Sequence, residues 1–303
     1  MFHNYILDGG YVILKTITKL LFLCLILLSV SLGYIKSYAA PKVMSDGGIF
    51  DAEYYASQNP DVVEVIGSNP EALYNHYLTM GSEEGRLPYN PTDDVSKLVA
   101  EEELKDSITD TSHVVLLDSG YSFLKLHGNT YIYYGVKIWN PNSSKTIRFP
   151  VITVTARADN GTILATDNWT IAGITPNDTI ICGNSITCKG TEPSTVEISV
   201  SNKTSSSFLV DGEMYGIADT DTFIITNFSQ QEDYFTGDIT NASGMYQKSV
   251  CINVVFKSGT TITGAAIGFA NDIEAGETIP FKVIWPSSYY LPHDSYEVHV
   301  MSW

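Results

Sequence analysis

The residues whose types and spacing suggest binding chemistry lie in one short stretch, 130–139. Side chains alternate there, so Tyr131, Tyr133 and Trp139 share the face opposite an aliphatic set. Aromatic rings on an outward face can stack on a sugar or anchor a protein partner. Such a face more often packs against another domain or under a loop. The pattern makes these three residues the candidate ligand-binding site, with packing as the competing interpretation.

Two cysteines offer a second kind of chemistry. Cys182 and Cys188 would lie directly opposite each other if residues 184–186 formed a three-residue hairpin loop. Cross-strand Cβ atoms are then ~4.5–5.5 Å apart, close to the separation that a disulfide needs. The spacing predicts a Cys182–Cys188 disulfide or, equally, two reduced strand residues. Cys251 has no obvious partner.

Known catalytic and metal-binding motifs do not occur in the sequence. It contains no Gly-x-Ser-x-Gly, His-Glu-x-x-His, P-loop or paired-cysteine zinc pattern, and its histidines are scattered. We therefore expect no catalytic residues, no metal and no cofactor. Carboxylates can still converge in the folded chain, as glycosidases require. A secreted hydrolase or enzyme accessory is thus the least favoured function.

The composition is that of a folded, acidic protein. Of 303 residues, 44% are hydrophobic and 17% are charged, which is typical of a globular chain with room for two or three domains. The formal net charge is −17. A chain this acidic repels phosphate backbones, so nucleic acid is not an expected partner.

The first 39 residues have the features of an export signal. Lys15 and Lys19 precede an uncharged, leucine-rich run at 20–35, and small residues precede a cleavage point after Ala39. That run is shorter than the ~20 residues that span a bilayer. Residues 1–39 are therefore predicted to be a signal peptide, and the protein to be secreted or on the extracellular cell surface. The alternative is a single-pass anchor, with membrane contact only through 20–35 and the C-terminal domains outside.

The remaining sequence divides into four parts. Residues 46–90 form a small helical module, and residues 91–112 form an acidic linker that contains a possible helix. Residues 113–206 and 207–303 both consist of short alternating strands with turn signals such as Asp159-Asn160-Gly161. The predicted fold is mainly β, with two tandem immunoglobulin-like β-sandwiches behind a small all-α module and an N-terminal signal helix.

Local signals refine this division. Asp51 is a plausible N-cap, and Pro60 forces the preceding residue out of helical geometry. The acidic run at 101–103 is predicted to be a solvated face. Aligning Gly161 with Gly259 superimposes the apolar positions of the two β segments, which predicts an internal duplication.

The helical stretch resembles a short module of secreted and surface bacterial proteins. The resemblance implies no activity. Its four pieces occur here in order: Phe50-Asp51-x-x-Tyr54-Tyr55, Asn59-Pro60-Asp61-Val62, Ala72-Leu73-x-x-His76-Tyr77 and Gly81-x-x-Glu84-Gly85-Arg86.

The β segments, residues ~113–303, resemble tandem FxLYD-type bacterial domains. In the second segment the resemblance rests on Gly237-Asp238-Ile239-Thr240-Asn241 and on the turn and strand at 273–281. It departs from the family pattern at 256–259, and the first segment has Pro176-Asn177-Asp178 where the family has Pro-Gly-Glu. The resemblance implies an immunoglobulin-like sandwich on exported proteins, without catalytic residues.

These features together predict an exported, non-catalytic bacterial surface protein. Its expected role is binding or adhesion, with an unknown extracellular protein or glycan as partner. The alternative is an envelope protein held by its N-terminal segment, in which the sandwiches serve structure or assembly.

Overall fold

The computed structural model describes residues 41–190, 192–211, 216–285 and 291–303. The predicted export signal at 1–39 lies outside these residues. Across the described ranges, no helix combines the length and apolar character that a membrane crossing requires. Strands account for 49% of the chain and helices for 16%, which confirms the mainly β class and is compatible with a β-sandwich.

The chain divides into two compact units, one of which contains Phe50–Pro91. This helical unit comprises α1 (Ala52–Gln58), α2 (Pro60–Ile66), α3 (Pro70–His76) and a π-helical turn (Tyr77–Gly81). Asp51 caps α1 as predicted, because its Oδ1 accepts a hydrogen bond of 2.9 Å from the Tyr54 backbone N–H. Tyr55 is fully buried, and its hydroxyl lies 2.9 Å from His76 Nδ1. The tyrosines and His76 therefore form a small core.

The other unit contains Thr92–Trp303 and is predominantly β. It begins with helix α4 (Ser96–Ser107), and two short strands, β1 (Lys42–Val43) and β2 (Ile49–Phe50), precede the helical unit in the chain. The first β region comprises β3 (Val115–Leu126), β4 (Asn129–Trp139), β5 (Lys145–Arg148), β6 (Val151–Arg157), β7 (Ile163–Thr170), β8 (Gly173–Ile174), β9 (Thr179–Lys189), β10 (Thr195–Ser201) and β11 (Leu209–Asp211). The second β region comprises β12 (Phe223–Gln230), β13 (Tyr234–Asn241), β14 (Gln247–Ser258), β15 (Thr261–Ile273), β16 (Thr278–Ile284) and β17 (Ser295–Ser302).

The two β regions have the same strand order. The first contains antiparallel sheets β3-β4-β9 and β10-β6-β7, and the second contains β12-β13-β16 and β17-β14-β15. A small third sheet, β11-β5-β8, belongs to the first region. Because β11 lies beyond residue 206, the first region extends past the predicted boundary. The repeated order supports the predicted duplication.

One buried asparagine fixes the same corner in both regions. Asn140, at the end of β4, is fully buried, and its amide donates to the carbonyls of Lys145, Ile174 and Thr175. Asn241, at the end of β13, is also fully buried and donates to the carbonyls of Met245, Ile273 and Glu274. Asn140 and Asn241 are therefore structural equivalents. The sequence alignment of the two β segments differs from this structural match by one position.

The inward faces follow the predicted alternation. Ile132, Tyr134, Val136 and Ile138 on β4, and Ile152, Val154 and Ala156 on β6, are all completely buried in the core of the first region. Side chains at period 2 on a strand point to one face, so the sequence identifies this core correctly.

The predicted cysteine hairpin is wrong. Residues 179–189 form one continuous strand, in which Cys182 pairs with Val136 and Cys188 with Thr130. Six residues of strand separate the two cysteines by ~20 Å, far beyond the reach of a disulfide. Both are free and buried. Burial also raises the pKa of the Cys251 thiol to about 12, so this free cysteine is not a thiolate nucleophile at neutral pH.

The acidic linker contains a helix, but its glutamates are not all solvated. Glu101 on α4 is only 8% exposed, and its carboxylate lies 2.6 Å from Lys137 Nζ on β4 and 3.5 Å from Lys105 Nζ. Two cations compensate one nearly buried anion. Glu101 therefore holds α4 against the outward face of β4, which corrects the prediction of a solvated run.

A carboxylate on β17 predicts how stability depends on pH. Burial raises the pKa of Glu297, but hydrogen bonding by His299 and the charge of Lys257, 2.8 Å away, outweigh it and lower the pKa to about 2. Because the pKa of Glu297 is lower in the folded protein than its unfolded-state value of 4.5, the ionised carboxylate stabilises the fold above pH 4.5. That stabilisation disappears as the pH falls towards 2. Since Glu297 is 37% exposed, we expect Glu297→Gln to cost only ~1 kcal/mol at pH 7.

Urea unfolding of Glu297→Gln between pH 7 and pH 3 checks this prediction. The difference from the unmodified protein should shrink below pH 4.5. Glu232→Gln, which removes an exposed carboxylate, serves as the control and should show little difference at any pH. A pH-independent loss in Glu297→Gln would contradict the ion-pair explanation.

Candidate ligand-binding groove

The two β regions pack against each other through sheets β3-β4-β9 and β15-β14-β17. Small residues line this inter-region interface and allow the backbones to approach closely. A Cβ added at Gly120 would lie 1.7 Å from the Ile262 carbonyl oxygen, and one added at Gly135 would lie 2.7 Å from the Ile262 side chain. The Gly183 N–H donates a hydrogen bond of 3.3 Å to Asn253 Oδ1 across the interface. The close approach therefore depends on glycine.

The three predicted stripe residues do not form one surface. Tyr131 and Tyr133 are half-buried and pack against the core of the second β region. Trp139 lies six residues beyond Tyr133, which is ~20 Å along the strand. The Lys105 ammonium lies 5.9 Å from the centre of the Trp139 ring. Packing thus accounts for much of the stripe, while Tyr133 alone also borders an open groove.

The groove has a volume of about 370 Å³ and lies at the edge of the inter-region interface. Strands β4, β9, β15 and β16 each contribute to its walls. Its lining combines two aromatic rings, two polar side chains and four aliphatic residues: Tyr133, Trp285, Asn184, Ser185, Ala265, Ala266, Ile267 and Ile284.

Strand pairing and a local hydrogen bond position the polar wall of the groove, which consists of Asn184 and Ser185. Tyr133 on β4 pairs directly with Ser185 on β9 in the strand register, so both side chains project from the same face of the sheet. Asn184 Oδ1 accepts a hydrogen bond of 2.8 Å from the Ser185 backbone N–H, which orients the amide group. Gly264 lets β15 pass beside Tyr133, because a Cβ at Gly264 would lie 3.1 Å from the Tyr133 Cβ.

The described walls of the groove carry no formal charge. All eight described residues that line the groove are uncharged. Burial raises the pKa of Tyr133, so its phenol stays protonated and can donate a hydrogen bond at physiological pH. Trp285 is only 2% exposed, and its indole N–H has no acceptor within the described part of the chain. The Trp285 ring packs against Phe256, with ring centres 4.8 Å apart, so the walls offer the Tyr133 ring together with uncharged donors and acceptors.

Such an arrangement can bind a small ligand, and the described lining contains no carboxylate, histidine, lysine or arginine. Aromatic rings present apolar faces, and the amide and hydroxyl groups can fix the orientation of a polar ligand. Within the described ranges, no three His, Cys, Asp or Glu residues are placed to hold a metal ion.

No protein-family model matches the chain, and no curated protein matches its sequence. The likeness to FxLYD-type domains therefore stays a prediction from the turn and strand motifs.

Sequence reasoning missed most of the groove. The possible hairpin would place Asn184 and Ser185 in a loop, and Trp285 follows a strand without any binding motif. The available signal was the run of very small residues at 264–266 within a strand, because small residues in a strand indicate close approach of another backbone.

Proposed function

We propose that this chain is an exported, non-catalytic bacterial surface protein that binds a neutral glycan in the groove. The observation that carries the proposal is the meeting of the Tyr133 ring with the Asn184 amide and the Ser185 hydroxyl on uncharged walls. Ring faces suit the C–H faces of sugars, and the polar groups suit their hydroxyls. An anionic polymer would find no counter-charge on these walls.

The size of the groove favours a glycan over a folded protein. Its volume of about 370 Å³ falls within the range of small-ligand sites, ~300–1,000 Å³. A stable protein interface buries ~800 Å² on each partner and needs a much wider surface. A ligand that enters with one or a few sugar rings fits these dimensions.

The same walls support a role without catalysis. Glycoside hydrolysis needs two carboxyl groups beside the scissile bond, and the described lining contains none. The proposal therefore places the chain among binding proteins rather than hydrolases.

We also propose that the two β regions are tandem immunoglobulin-like sandwiches. Their shared strand order and their equivalent asparagine corners support this assignment. Export rests on the sequence features of residues 1–39.

Substitution of the polar wall tests the proposed function. Asn184→Ala should lower the affinity for neutral oligosaccharides about tenfold, because one hydrogen bond contributes up to ~1.5 kcal/mol. The measurement is binding to an immobilised panel of neutral and acidic oligosaccharides, with circular dichroism to confirm the fold. Asn75→Ala, which removes an exposed amide on α3 of the helical unit, is the matched control and should bind normally.

Two results would overturn the proposed function. One is that the unmodified protein retains no neutral oligosaccharide. The other is that Asn184→Ala and Asn75→Ala bind with the same affinity as the unmodified protein.

A further inference from the structure

We infer that the glycan is an extended chain of several sugar rings, because a second aromatic surface lies farther along β15, the strand that lines the groove. This inference rests on the proposed function. The second surface, here called the aromatic platform, consists of Phe269 on β15, Trp169 on β7, and Trp303, which follows β17. The Phe269 and Trp303 ring centres are 5.6 Å apart, and those of Trp169 and Trp303 are 5.5 Å apart.

The aromatic platform presents two large rings to solvent. Phe269 is 42% exposed and Trp303 is 39% exposed, whereas Trp169 is only 8% exposed. The Trp303 backbone N–H donates a hydrogen bond of 2.9 Å to the Ser249 carbonyl, and its ring contacts the rings of Trp169 and Phe269. The ring is therefore held in place before any ligand arrives, which lowers the entropy cost of stacking.

The platform and the groove share one face of one strand. Ala265 and Ile267 on β15 line the groove, and Phe269 is the next residue in the same alternation. The distance along the strand from Ala265 to Phe269 is ~13 Å. A single six-membered ring built from bonds of ~1.5 Å cannot contact both ends, so a ligand that uses both surfaces contains several rings.

Continuity with the inter-region interface explains why the two surfaces act together. Trp169 belongs to the first β region and Trp303 to the second, as do Tyr133 and Trp285 at the groove. Both surfaces therefore form only when the two regions are packed together. An extended glycan lying along β15 would contact both regions at once.

Affinity as a function of chain length tests this inference. The probes are cello-oligosaccharides and N-acetylglucosamine oligomers of one to six units, titrated into the unmodified protein by isothermal titration calorimetry. We expect the affinity to rise about tenfold once the oligomer reaches the platform, since a ring contact contributes up to ~1.5 kcal/mol. Trp303→Ala should abolish this gain and leave disaccharide binding unchanged, while Asn184→Ala should weaken binding at every length.

Control variants separate a loss of stacking from a loss of fold. Tyr121→Ala removes a ring on β3 that is 38% exposed and should leave the length dependence intact. Phe269→Leu is a second test of the platform in case Trp303→Ala folds poorly. It keeps an apolar side chain on β15 but removes the ring face, so it should reduce the gain in affinity with oligomer length without unfolding the protein.

The outcomes distinguish this inference from the proposed function. Equal affinity for disaccharides and hexasaccharides, or a full length gain in both Trp303→Ala and Phe269→Leu, overturns the inference and leaves glycan binding in place. Failure of the unmodified protein to bind any oligosaccharide in either series or in the immobilised panel overturns both.

Discussion

Replacing Gly183 with alanine should lower the free energy of unfolding by at least about 3 kcal/mol, at the upper end of the usual cost of overpacking. An added Cβ would lie 2.0 Å from the Tyr134 carbonyl oxygen, 2.6 Å from the Ala265 Cβ and 2.9 Å from the Gly135 Cα. All three neighbours are backbone atoms or a methyl group, so no flexible side chain can move aside. Relief requires β9 to move away from β4 within its own sheet and the two β regions to separate at Ala265.

Urea unfolding measures this loss, and limited proteolysis shows whether the two regions come apart. Gly161→Ala provides the control, because Gly161 has a φ of +81° but no atom within 4 Å of an added Cβ. That substitution should cost only the ~1–2 kcal/mol of a left-handed residue. Equal losses in the two variants would show that the close approach at Gly183 contributes nothing to stability.

Separation of the regions should also affect binding. The groove contains Tyr133 from the first region and Trp285 from the second, so Gly183→Ala should lose affinity for neutral oligosaccharides together with stability. Gly161 lies in a turn of the first region, and its substitution should leave that affinity unchanged.

The sequence predicts individual strands well because alternation is a local property. The inward faces of β4 and β6 follow directly from their apolar period, and the turn at Asp159-Asn160-Gly161 contains a glycine with positive φ, as that motif requires. The N-cap at Asp51 is equally local. These features need no knowledge of what lies across the sheet.

The errors arise where a residue is selected by a distant partner. The spacing of Cys182 and Cys188 suggested a hairpin, but Gly183 between them lies in a continuous strand, close against β4 and β15. Glu101 suggested a solvated face, but Lys137, 36 positions away, draws it into a nearly buried ion pair. Both partners are identified only once the packing of the two β regions and α4 is known.

The candidate site shows the same limit. Tyr133 could be placed on an outward face from alternation alone. The groove, however, joins residues from four strands that span more than 150 positions, from Tyr133 to Trp285. No local pattern encodes that meeting, although the small residues at 264–266 indicate where two backbones approach.

Asn140→Asp and Asn241→Asp should each destabilise the protein by several kcal/mol at neutral pH, and by similar amounts. Each side-chain amide donates to three main-chain carbonyls at 2.7–3.2 Å. A carboxylate of the same shape cannot donate, so three carbonyls lose a partner and a negative charge is brought up against their oxygens. One unsatisfied buried group costs ~1–3 kcal/mol, so we expect a loss of ~3–5 kcal/mol in each variant.

Thermal and urea unfolding of the two variants tests the prediction and the duplication together. Lowering the pH should restore part of the stability, because a protonated carboxyl regains one donor. Asn168→Asp, an exposed position on β7, is the control and should change stability little. If Asn140→Asp were severe and Asn241→Asp neutral, the two corners would not be equivalent, and the internal duplication would lose its strongest structural support.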